Sequence, residues 1–265
     1  MEKRLFTSEC VTCGHPDKVA DAISDAILDA CLAQDPGSRV ACETMVTTDF
    51  CIICGEITTQ AKVDYEKIAR ETIRSIGYVY PGDGFDADSV QVVSRIHTQS
   101  ADIALGTNDE VGGAGDQGMM FGGACTQTPE LMPLSAALSR ALSNRLTECV
   151  RSNDLLRPDG KTQVTVEFDE KGNVLGIDTV VVSVMHSADF EIEELRKYVR
   201  EGVIAPVLKD YGFYIEDVAN IHINPTGNFV IGGPNGDTGL TGRKIIVDTY
   251  GGYFSHGGGA FSGKD

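Results

Sequence analysis

The sequence contains few basic residues and no long apolar run. Only 22 of its 265 residues are lysine or arginine, against 39 aspartates and glutamates, which gives a net charge of −17. This charge opposes unspecific binding to nucleic acid or to an anionic membrane, since both need basic patches. No apolar run approaches the roughly 20 residues that span a bilayer, and the first residues lack the apolar core of a signal peptide. We therefore expect a cytoplasmic protein without nucleic-acid or membrane partners.

The eight cysteines are expected to be thiols in a reducing cytoplasm. Two pairs, Cys10-x-x-Cys13 and Cys51-x-x-Cys54, have a spacing that can bind zinc. The second pair lies in an apolar strand pattern, where residues three apart face opposite sides of the sheet. A zinc site is therefore the less favoured alternative.

The order helix–strand–strand–helix occurs twice along the chain. Apolar periodicity predicts these elements at 16–35, 39–47, 50–59 and 64–76, and again at 134–150, 162–168, 174–184 and 191–210. Pro206 is expected to kink or break the last helix. A predicted strand at 244–250, followed by a glycine-rich tail, favours the start of a third copy. These elements predict an α/β (α+β) fold of pseudo-repeated units with a truncated third repeat.

The tail also has the composition of a phosphate-binding loop. Glycines expose backbone N–H groups to an anion, and Lys264 adds a positive charge. The spacing Gly258-x4-Gly263-Lys264 fits a P-loop, except that Asp265 stands where a Ser or Thr should hold Mg²⁺. A P-loop NTPase is therefore one possible interpretation, which Asp265 argues against.

A second candidate phosphate site is Gly14-His-Pro-Asp-Lys18, at the start of the first predicted helix. A helix N-terminus favours anions. His15 can donate to a phosphate oxygen, and Asp17 can hold Mg²⁺. The alternative is a surface histidine beside an aspartate that stabilises the first turn.

Further candidates are charged residues in apolar or glycine-rich surroundings. Glu43 and Glu56 lie among apolar strand residues, where they are either ligands of an ion or substrate or simply face solvent. Lys161, Arg243-Lys244 and Lys264 could form one cationic pocket in this acidic chain, or be ordinary surface charges. The irregular stretch 98–118 suits an active-site lid or a crossover linker.

Taken together, these motifs resemble those of the S-adenosylmethionine synthetase (methionine adenosyltransferase) family. The resemblance covers the whole chain in collinear order. It is carried by Phe6-Thr-Ser-Glu9, Gly14-His-Pro-Asp-Lys18, Gly55-Glu-Ile-Thr-Thr59, Gly113-Ala-Gly-Asp-Gln-Gly118, Ile223-Asn-Pro-Thr-Gly227, Phe229-Val-Ile-Gly-Gly-Pro234, the run from Gly239 to Gly252 and the run from Gly257 to Asp265.

The resemblance implies ATP and L-methionine as substrates, Mg²⁺ and K⁺ as cofactors, and a homodimer or homotetramer with active sites between subunits. The methionine sulfur displaces tripolyphosphate from C5′ of ATP, and the tripolyphosphate is hydrolysed to pyrophosphate and phosphate. The domains implied are 1–101, 112–232 and 233–265, the last being the start of a truncated C-terminal domain.

The family's site residues carry over motif by motif. The residues implied to contact ATP are His15, Asp159, Lys161, Phe229, Asp237, Arg243, Lys244, Ala260 and Lys264. Of these, His15, Lys161, Arg243, Lys244 and Lys264 are the implied catalytic residues. Methionine would be held by Glu56, Gln99 and Asp237, with residues 99–109 as the lid. Asp17 would bind Mg²⁺, and Glu43 would bind K⁺.

Three features depart from the family pattern. Cys13 replaces the acidic residue usual before the first glycine motif, and Asn228 replaces a frequent arginine. The sequence also ends at Asp265, where members of the family continue through a third domain. We therefore expect weak or no activity from this polypeptide, and a non-catalytic nucleotide-binding fragment is the alternative function.

Overall fold

A computed structural model describes residues 3–98 and 118–265, and these residues form two compact units. The described residues of the first unit fall within Met1–His15, Gly122–Gly236 and Ile246–His256. Those of the second fall within Pro16–Phe121, Asp237–Ile245 and Gly257–Asp265. Each unit therefore combines stretches that are distant in sequence. The domain boundaries expected at 1–101, 112–232 and 233–265 stay a prediction.

The described secondary structure is mixed α/β, as predicted. The strands are β1 (Arg4–Val11), β2 (Arg39–Thr47), β3 (Phe50–Thr58), β4 (Gln91–His97), β5 (Leu156–Phe168), β6 (Val174–His186), β7 (Asn220–Ile223) and β8 (Gly239–Leu240). The helices are α1 (Pro16–Gln34), α2 (Tyr65–Ile76), α3 (Leu134–Ser152), α4 (Ile192–Val199), α5 (Ala205–Asp210), α6 (Gly233–Gly236) and α7 (Ile245–Asp248). A π-helical segment, Arg200–Ile204, joins α4 to α5, and Ile215–Asp217 is a 3₁₀ turn.

The two units have sheets of the same design. The first has the strand order β1-β5-β6-β7 and the second the order β8-β2-β3-β4. In each sheet a hairpin occupies the centre, a strand distant in sequence pairs antiparallel to one side, and a strand that follows a helix pairs parallel to the other. The predicted third unit stays a prediction.

The core of the first unit lies where α3 and α4 pack on the sheet. Leu138, Leu142 and Leu146 recur at the spacing of one helix face and are fully buried. They belong to one cluster with Val164 of β5 and Val180 of β6. The apolar residues of α3 thus cover the central hairpin of this unit.

The second unit buries α1 and α2 in the same manner. Val19, Ile23 and Ile27 of α1 and Ile73 of α2 are fully buried. In β2, alternate residues are buried, which is the pattern of a strand with one face on a core. The side chain of Asp64 accepts from the backbone N–H of Lys67 and so caps the start of α2.

The predicted strand at 244–250 is wrong, because Ile245–Asp248 forms the short helix α7. Strand propensity depends on the presence of a neighbouring strand. Here a side chain donates to the carbonyls instead: Arg140 Nη2 donates to Val247 O at 3.3 Å and to Thr249 O at 3.0 Å. The predicted separation of Cys51 from Cys54 is confirmed, since Cys51 is buried and Cys54 lies half-buried on the opposite face of β3.

The predicted kink at Pro206 takes the form of a π-helical segment. In a regular helix the carbonyl of Gly202 would accept from residue 206, and proline has no N–H to donate. Arg145 Nε donates to Gly202 O at 3.0 Å instead. Among the described residues, no helix combines the length and the apolar character required to cross a membrane.

Candidate active site

The predicted site residues occur in both units. The first unit contains His15, Asp159, Lys161 and Phe229, and the second contains Asp17, Glu43, Glu56, Asp237, Arg243, Lys244, Ala260 and Lys264. Gln99 and the predicted lid 99–109 lie outside the described residues. Two glycine-rich segments of the second unit, 237–245 and 257–265, carry most of the predicted cations and are held by α1 and β2.

The segment 237–245 is fixed by three consecutive backbone N–H groups. The N–H groups of Leu240, Thr241 and Gly242 donate to Asp17 Oδ1 (3.0 Å), Thr44 O (3.0 Å) and Asp21 Oδ1 (2.8 Å), respectively. The hydroxyl of Thr241 also accepts from the N–H of Thr44 at 2.8 Å. The chain that leads into Arg243 is therefore held on one side by α1 and on the other by β2.

The two cations that follow lie near the carboxylate of Asp17. Lys244 Nζ is 2.5 Å from Asp17 Oδ2, and Arg243 Nε is 3.8 Å from Asp17 Oδ1. The side chain of Asp17 is only 3% exposed, whereas that of Arg243 is 54% exposed. Gly239 permits the backbone of this segment to approach the start of α1 closely, because a Cβ at residue 239 would lie 2.1 Å from the carbonyl oxygen of Pro16. The buried carboxylate thus holds Lys244 while Arg243 faces solvent.

The segment 257–265 pairs with the same edge of β2. The N–H of Cys42 donates to Gly263 O at 2.9 Å, and the N–H of Gly263 donates to Asp25 Oδ1 of α1 at 2.8 Å. Gly263 has φ 72°, and a Cβ there would lie 2.3 Å from Cys42 O, so only glycine fits. The side chain of Lys264 forms an ion pair with Glu43 of β2.

The two segments come into contact where Gly242 faces Ala260. A Cβ on Gly242 would lie 2.5 Å from the Cβ of Ala260. The three cations Arg243, Lys244 and Lys264 are therefore carried by backbone segments that share α1 and β2 as supports. Such guanidinium and ammonium groups are the usual partners of phosphate oxygens. This arrangement suits a polyphosphate ligand.

Comparison with known protein families gives three matches in collinear order. They are the S-adenosylmethionine synthetase N-terminal domain over residues 3–101, the central domain over 111–229 and the C-terminal domain over 231–265. The chain belongs to the S-adenosylmethionine synthetase family. Its family function is therefore the synthesis of S-adenosylmethionine, and the resemblance found in the sequence motifs is confirmed.

Within this synthetase family member, the first unit holds Phe229 through a buried histidine. The N–H of Phe229 donates to His186 Nε2 at 3.0 Å, and the N–H of His186 donates to Phe229 O at 2.9 Å. The ring Nδ1 of His186 is 2.8 Å from Ser187 O and must donate there, which leaves Nε2 as an acceptor. Sequence reasoning missed His186, which lies about forty residues before Phe229 and has no motif of its own.

The other predicted residues of the first unit lie in different surroundings. Asp159 is buried in β5, and its Oδ2 accepts from the N–H of Gly233 at 2.8 Å. Lys161 lies two residues further along β5 and is exposed. The side chain of His15 is buried. Their assignment to ATP stays a prediction.

In the second unit, Glu56 and Asp237 are exposed. Among the residues that the structure describes, neither carboxylate forms a hydrogen bond or an ion pair with Arg243, Lys244 or Lys264. Glu56 does influence a neighbour: the pKa of the half-buried Cys54 thiol is raised, first by burial and then by the carboxylates of Glu43 and Glu56. Their assignment to methionine, and for Asp237 also to ATP, stays a prediction.

Asp17 fits the predicted Mg²⁺ ligand. It is a buried carboxylate, the hard oxygen donor that Mg²⁺ prefers, and Mg²⁺ is commonly held by one or two carboxylates together with substrate phosphates. Its carboxylate accepts from the N–H of Leu240 and from the ammonium of Lys244, and a carboxylate has about four acceptor positions. Glu43 fits the predicted K⁺ ligand less well in this arrangement, because its carboxylate already forms an ion pair with the ammonium of Lys264.

The two substitutions that depart from the family pattern have different surroundings. Burial raises the pKa of the Cys13 thiol, so Cys13 is a neutral thiol at neutral pH and supplies no charge in place of an acidic residue. Asn228 is exposed before Phe229 and cannot supply the positive charge of an arginine.

Proposed function

We propose that this chain is a methionine adenosyltransferase that makes S-adenosylmethionine from ATP and L-methionine. The sulfur of methionine attacks C5′ of ATP, a new S–C bond forms, and the C5′–O bond breaks. The electron pair of that bond leaves with tripolyphosphate, which is then hydrolysed to pyrophosphate and phosphate. Membership of the family supports the overall reaction, and the contacts around the two glycine-rich segments support the roles given below.

This proposal rests on one observation: α1 and β2 hold the backbone next to all three cations. Arg243 and Lys244 follow a segment held by Asp17, Thr44 and Asp21, and Lys264 follows a glycine held by Asp25 and Cys42. Positive groups with a fixed backbone can stabilise charge that develops on a leaving group without first having to reorganise. Tripolyphosphate is such a leaving group.

The reaction requires alignment of the reacting groups and stabilisation of the charge on the triphosphate, and it does not require a strong base. A thioether sulfur carries a lone pair and loses no proton when it attacks, so no general base is needed for that step. We assign orientation of the triphosphate and neutralisation of its charge to Arg243, Lys244 and Lys264. The roles of His15, Lys161, Asp159, Asp237 and Ala260 toward ATP, with Phe229 stacking on adenine, belong to the same proposal.

Metal ions complete the proposed site. Asp17 would hold Mg²⁺, which when bound supplies positive charge that offsets the triphosphate. Because Lys244 contacts the same carboxylate, Asp17 can hold both the lysine and the metal beside the phosphates. We propose K⁺ as the second ion without assigning it a step. The oligomer is proposed as a homodimer or homotetramer.

A P-loop NTPase is disfavoured by the surroundings of Asp265. Its Oδ1 accepts from the N–H of Val40 at 2.7 Å, and its Oδ2 is 3.1 Å from Arg39 Nη1. The residue that would have to hold Mg²⁺ in a P-loop is therefore engaged with β2. The remaining alternative is a protein that binds nucleotide without turnover.

The test is incubation of the full chain with ATP, L-methionine, Mg²⁺ and K⁺, followed by chromatography and mass spectrometry. We expect S-adenosylmethionine, pyrophosphate and phosphate to form slowly, in line with the weak activity expected from the sequence, with none of these products when methionine is omitted. Binding of ATP without product would favour the nucleotide-binding alternative. Formation of ADP would favour a P-loop NTPase and contradict the proposal.

A further inference from the structure

Three aspartates of α1 each hold one backbone N–H of the glycine-rich segments. Asp17, Asp21 and Asp25 lie at positions i, i+4 and i+8, and therefore on one face of the helix. Their Oδ1 atoms accept from Leu240, Gly242 and Gly263 at 3.0, 2.8 and 2.8 Å. The repeated geometry along one helix face makes a row of acceptors for two segments that are distant in sequence.

Two of these bonds lie directly before the predicted phosphate-binding cations. Gly242 precedes Arg243 and Lys244, and Gly263 precedes Lys264. Both glycines have positive φ, 76° and 72°, so the chain turns sharply at the residue that the aspartate holds. The turn at the glycine that the aspartate holds therefore sets the direction in which the side chain of the following cation leaves the backbone.

Asp21 and Asp25 act on the backbone rather than on a ligand. Asp21 is 1% exposed, and its second oxygen accepts from Lys18 Nζ at 2.9 Å. A hydrogen bond from a backbone N–H to a charged carboxylate is shorter and stronger than one to a neutral acceptor. Such a bond fixes the turn at the glycine, and a neutral acceptor in the same place would keep much of this effect.

We infer that Asp21 and Asp25 are positioning residues for the proposed polyphosphate site, and that each sets the direction of the cation that follows the glycine it holds. This inference rests on the proposed function, because it takes Arg243, Lys244 and Lys264 as the phosphate contacts. It assigns roles to two acidic residues that do not themselves contact the anion.

The sign of the effect separates positioning from simple electrostatics. A carboxylate close to a polyanion site repels the polyanion, so its removal should strengthen binding if only charge matters. If the carboxylate positions the cation, its removal should weaken binding although one negative charge has gone. The two explanations therefore predict opposite changes in affinity.

The experiment compares tripolyphosphate affinity in four forms of the full chain by calorimetric titration with Mg²⁺ present, using an imido-bridged analogue of tripolyphosphate that resists hydrolysis. We expect Asp25→Ala to weaken binding roughly tenfold, the scale for loss of a hydrogen bond to a charged group. Asp25→Asn should recover most of the affinity, because its amide oxygen still accepts from Gly263. Asp29→Ala, an exposed position one turn further along α1, is the control for the change of charge. Thermal unfolding of each variant identifies loss of folded protein.

The outcomes distinguish this inference from the function on which it rests. If Asp25→Ala is folded and binds tripolyphosphate as tightly as the parent or more tightly, the positioning role is wrong while the proposed site stands. If the parent itself does not bind tripolyphosphate, the proposed site fails and the inference fails with it. If Asp25→Ala does not fold, Asp21→Ala is measured as a fifth form, and folded Asp21→Ala that binds tripolyphosphate as tightly as the parent or more tightly contradicts the positioning role.

Discussion

At the scale of single residues, the ammonium of Lys264 has two possible anionic partners. Its ammonium pairs with Glu43 in the structure, whereas the proposed function assigns it to triphosphate. The two side chains are about one-third and one-half exposed, so the pair is accessible to solvent and modest in strength. An anionic ligand can therefore displace the carboxylate, and the released Glu43 then becomes available to a cation.

This exchange predicts that K⁺ and tripolyphosphate strengthen each other's binding. Coupling between two ligands is reciprocal, so K⁺ should raise tripolyphosphate affinity, by about fivefold or more relative to tetramethylammonium. Glu43→Gln should bind tripolyphosphate more tightly without K⁺, because Lys264 no longer has a competing carboxylate, and should lose the K⁺ effect. Titration calorimetry in the two salts measures both quantities.

The control is Glu71→Gln, which removes one negative charge from an exposed position of α2. It should retain the K⁺ effect of the parent. A K⁺ effect that survives unchanged in Glu43→Gln would show that Glu43 is not the link between the two ligands. Lys264→Ala should bind tripolyphosphate more weakly than the parent in either salt.

At the scale of elements, the helix between Ile192 and Asp210 is interrupted where the chain lacks an N–H. Pro206 leaves the carbonyl of Gly202 without its usual helical donor, and Arg145 of α3 donates to that carbonyl. The same guanidinium also contacts Glu148, one turn away on α3. A side chain from a neighbouring helix thus donates to a carbonyl of the π-helical segment.

We predict that Arg145→Ala lowers the free energy of unfolding by about 1 kcal/mol, the usual net value of one hydrogen bond. Pro206→Ala in the same chain should recover part of that loss, because residue 206 then has an N–H for Gly202. Urea unfolding of the two single variants and the double variant gives the coupling directly. Glu148→Ala, which removes only the exposed ion pair, should cost less than Arg145→Ala. Strict additivity in the double variant would contradict this explanation.

Apolar periodicity predicted the helices and hairpins but not the strands at the sides of the sheets. The pattern in α1 or β2 is local, and it is visible in the sequence. The pairing of β1 with β5, or of β8 with β2, joins stretches about 150 to 200 residues apart, and nothing within the short β8 marks it as a strand. For the same reason, the Asp21–Gly242 and Asp25–Gly263 bonds were not predicted, although the spacing of the aspartates was visible.

The sequence motifs predicted which residues belong to the candidate site better than they predicted the contacts of those residues. Glycine spacing and the cations beside it identified Arg243, Lys244 and Lys264 as candidates. The sequence did not show that Glu43 would pair with Lys264, because that ion pair depends on the register between β2 and the tail. It also did not indicate His186, since a buried histidine with two hydrogen bonds has no local sequence signature.

At the scale of the whole molecule, the net charge of −17 acts against the proposed ligand. Fully ionised polyphosphate and the protein repel each other at distances beyond the reach of individual side chains. The cations Arg243, Lys244 and Lys264 act at contact distance, where salt screens less. Long-range approach and final binding should therefore respond differently to ionic strength.

We predict that the association rate constant of tripolyphosphate rises with ionic strength. Raising tetramethylammonium chloride from about 20 to about 200 mM shortens the Debye length from roughly 20 to roughly 7 Å, which screens the repulsion between the like-charged partners. Stopped-flow measurement with a fluorescent competitor gives the rate, and tetramethylammonium avoids any specific effect of K⁺. Binding of methionine, which has no net charge at neutral pH, should show no such dependence. A rate that falls with salt would mean that the local cations, rather than the net charge, control the approach of the anion.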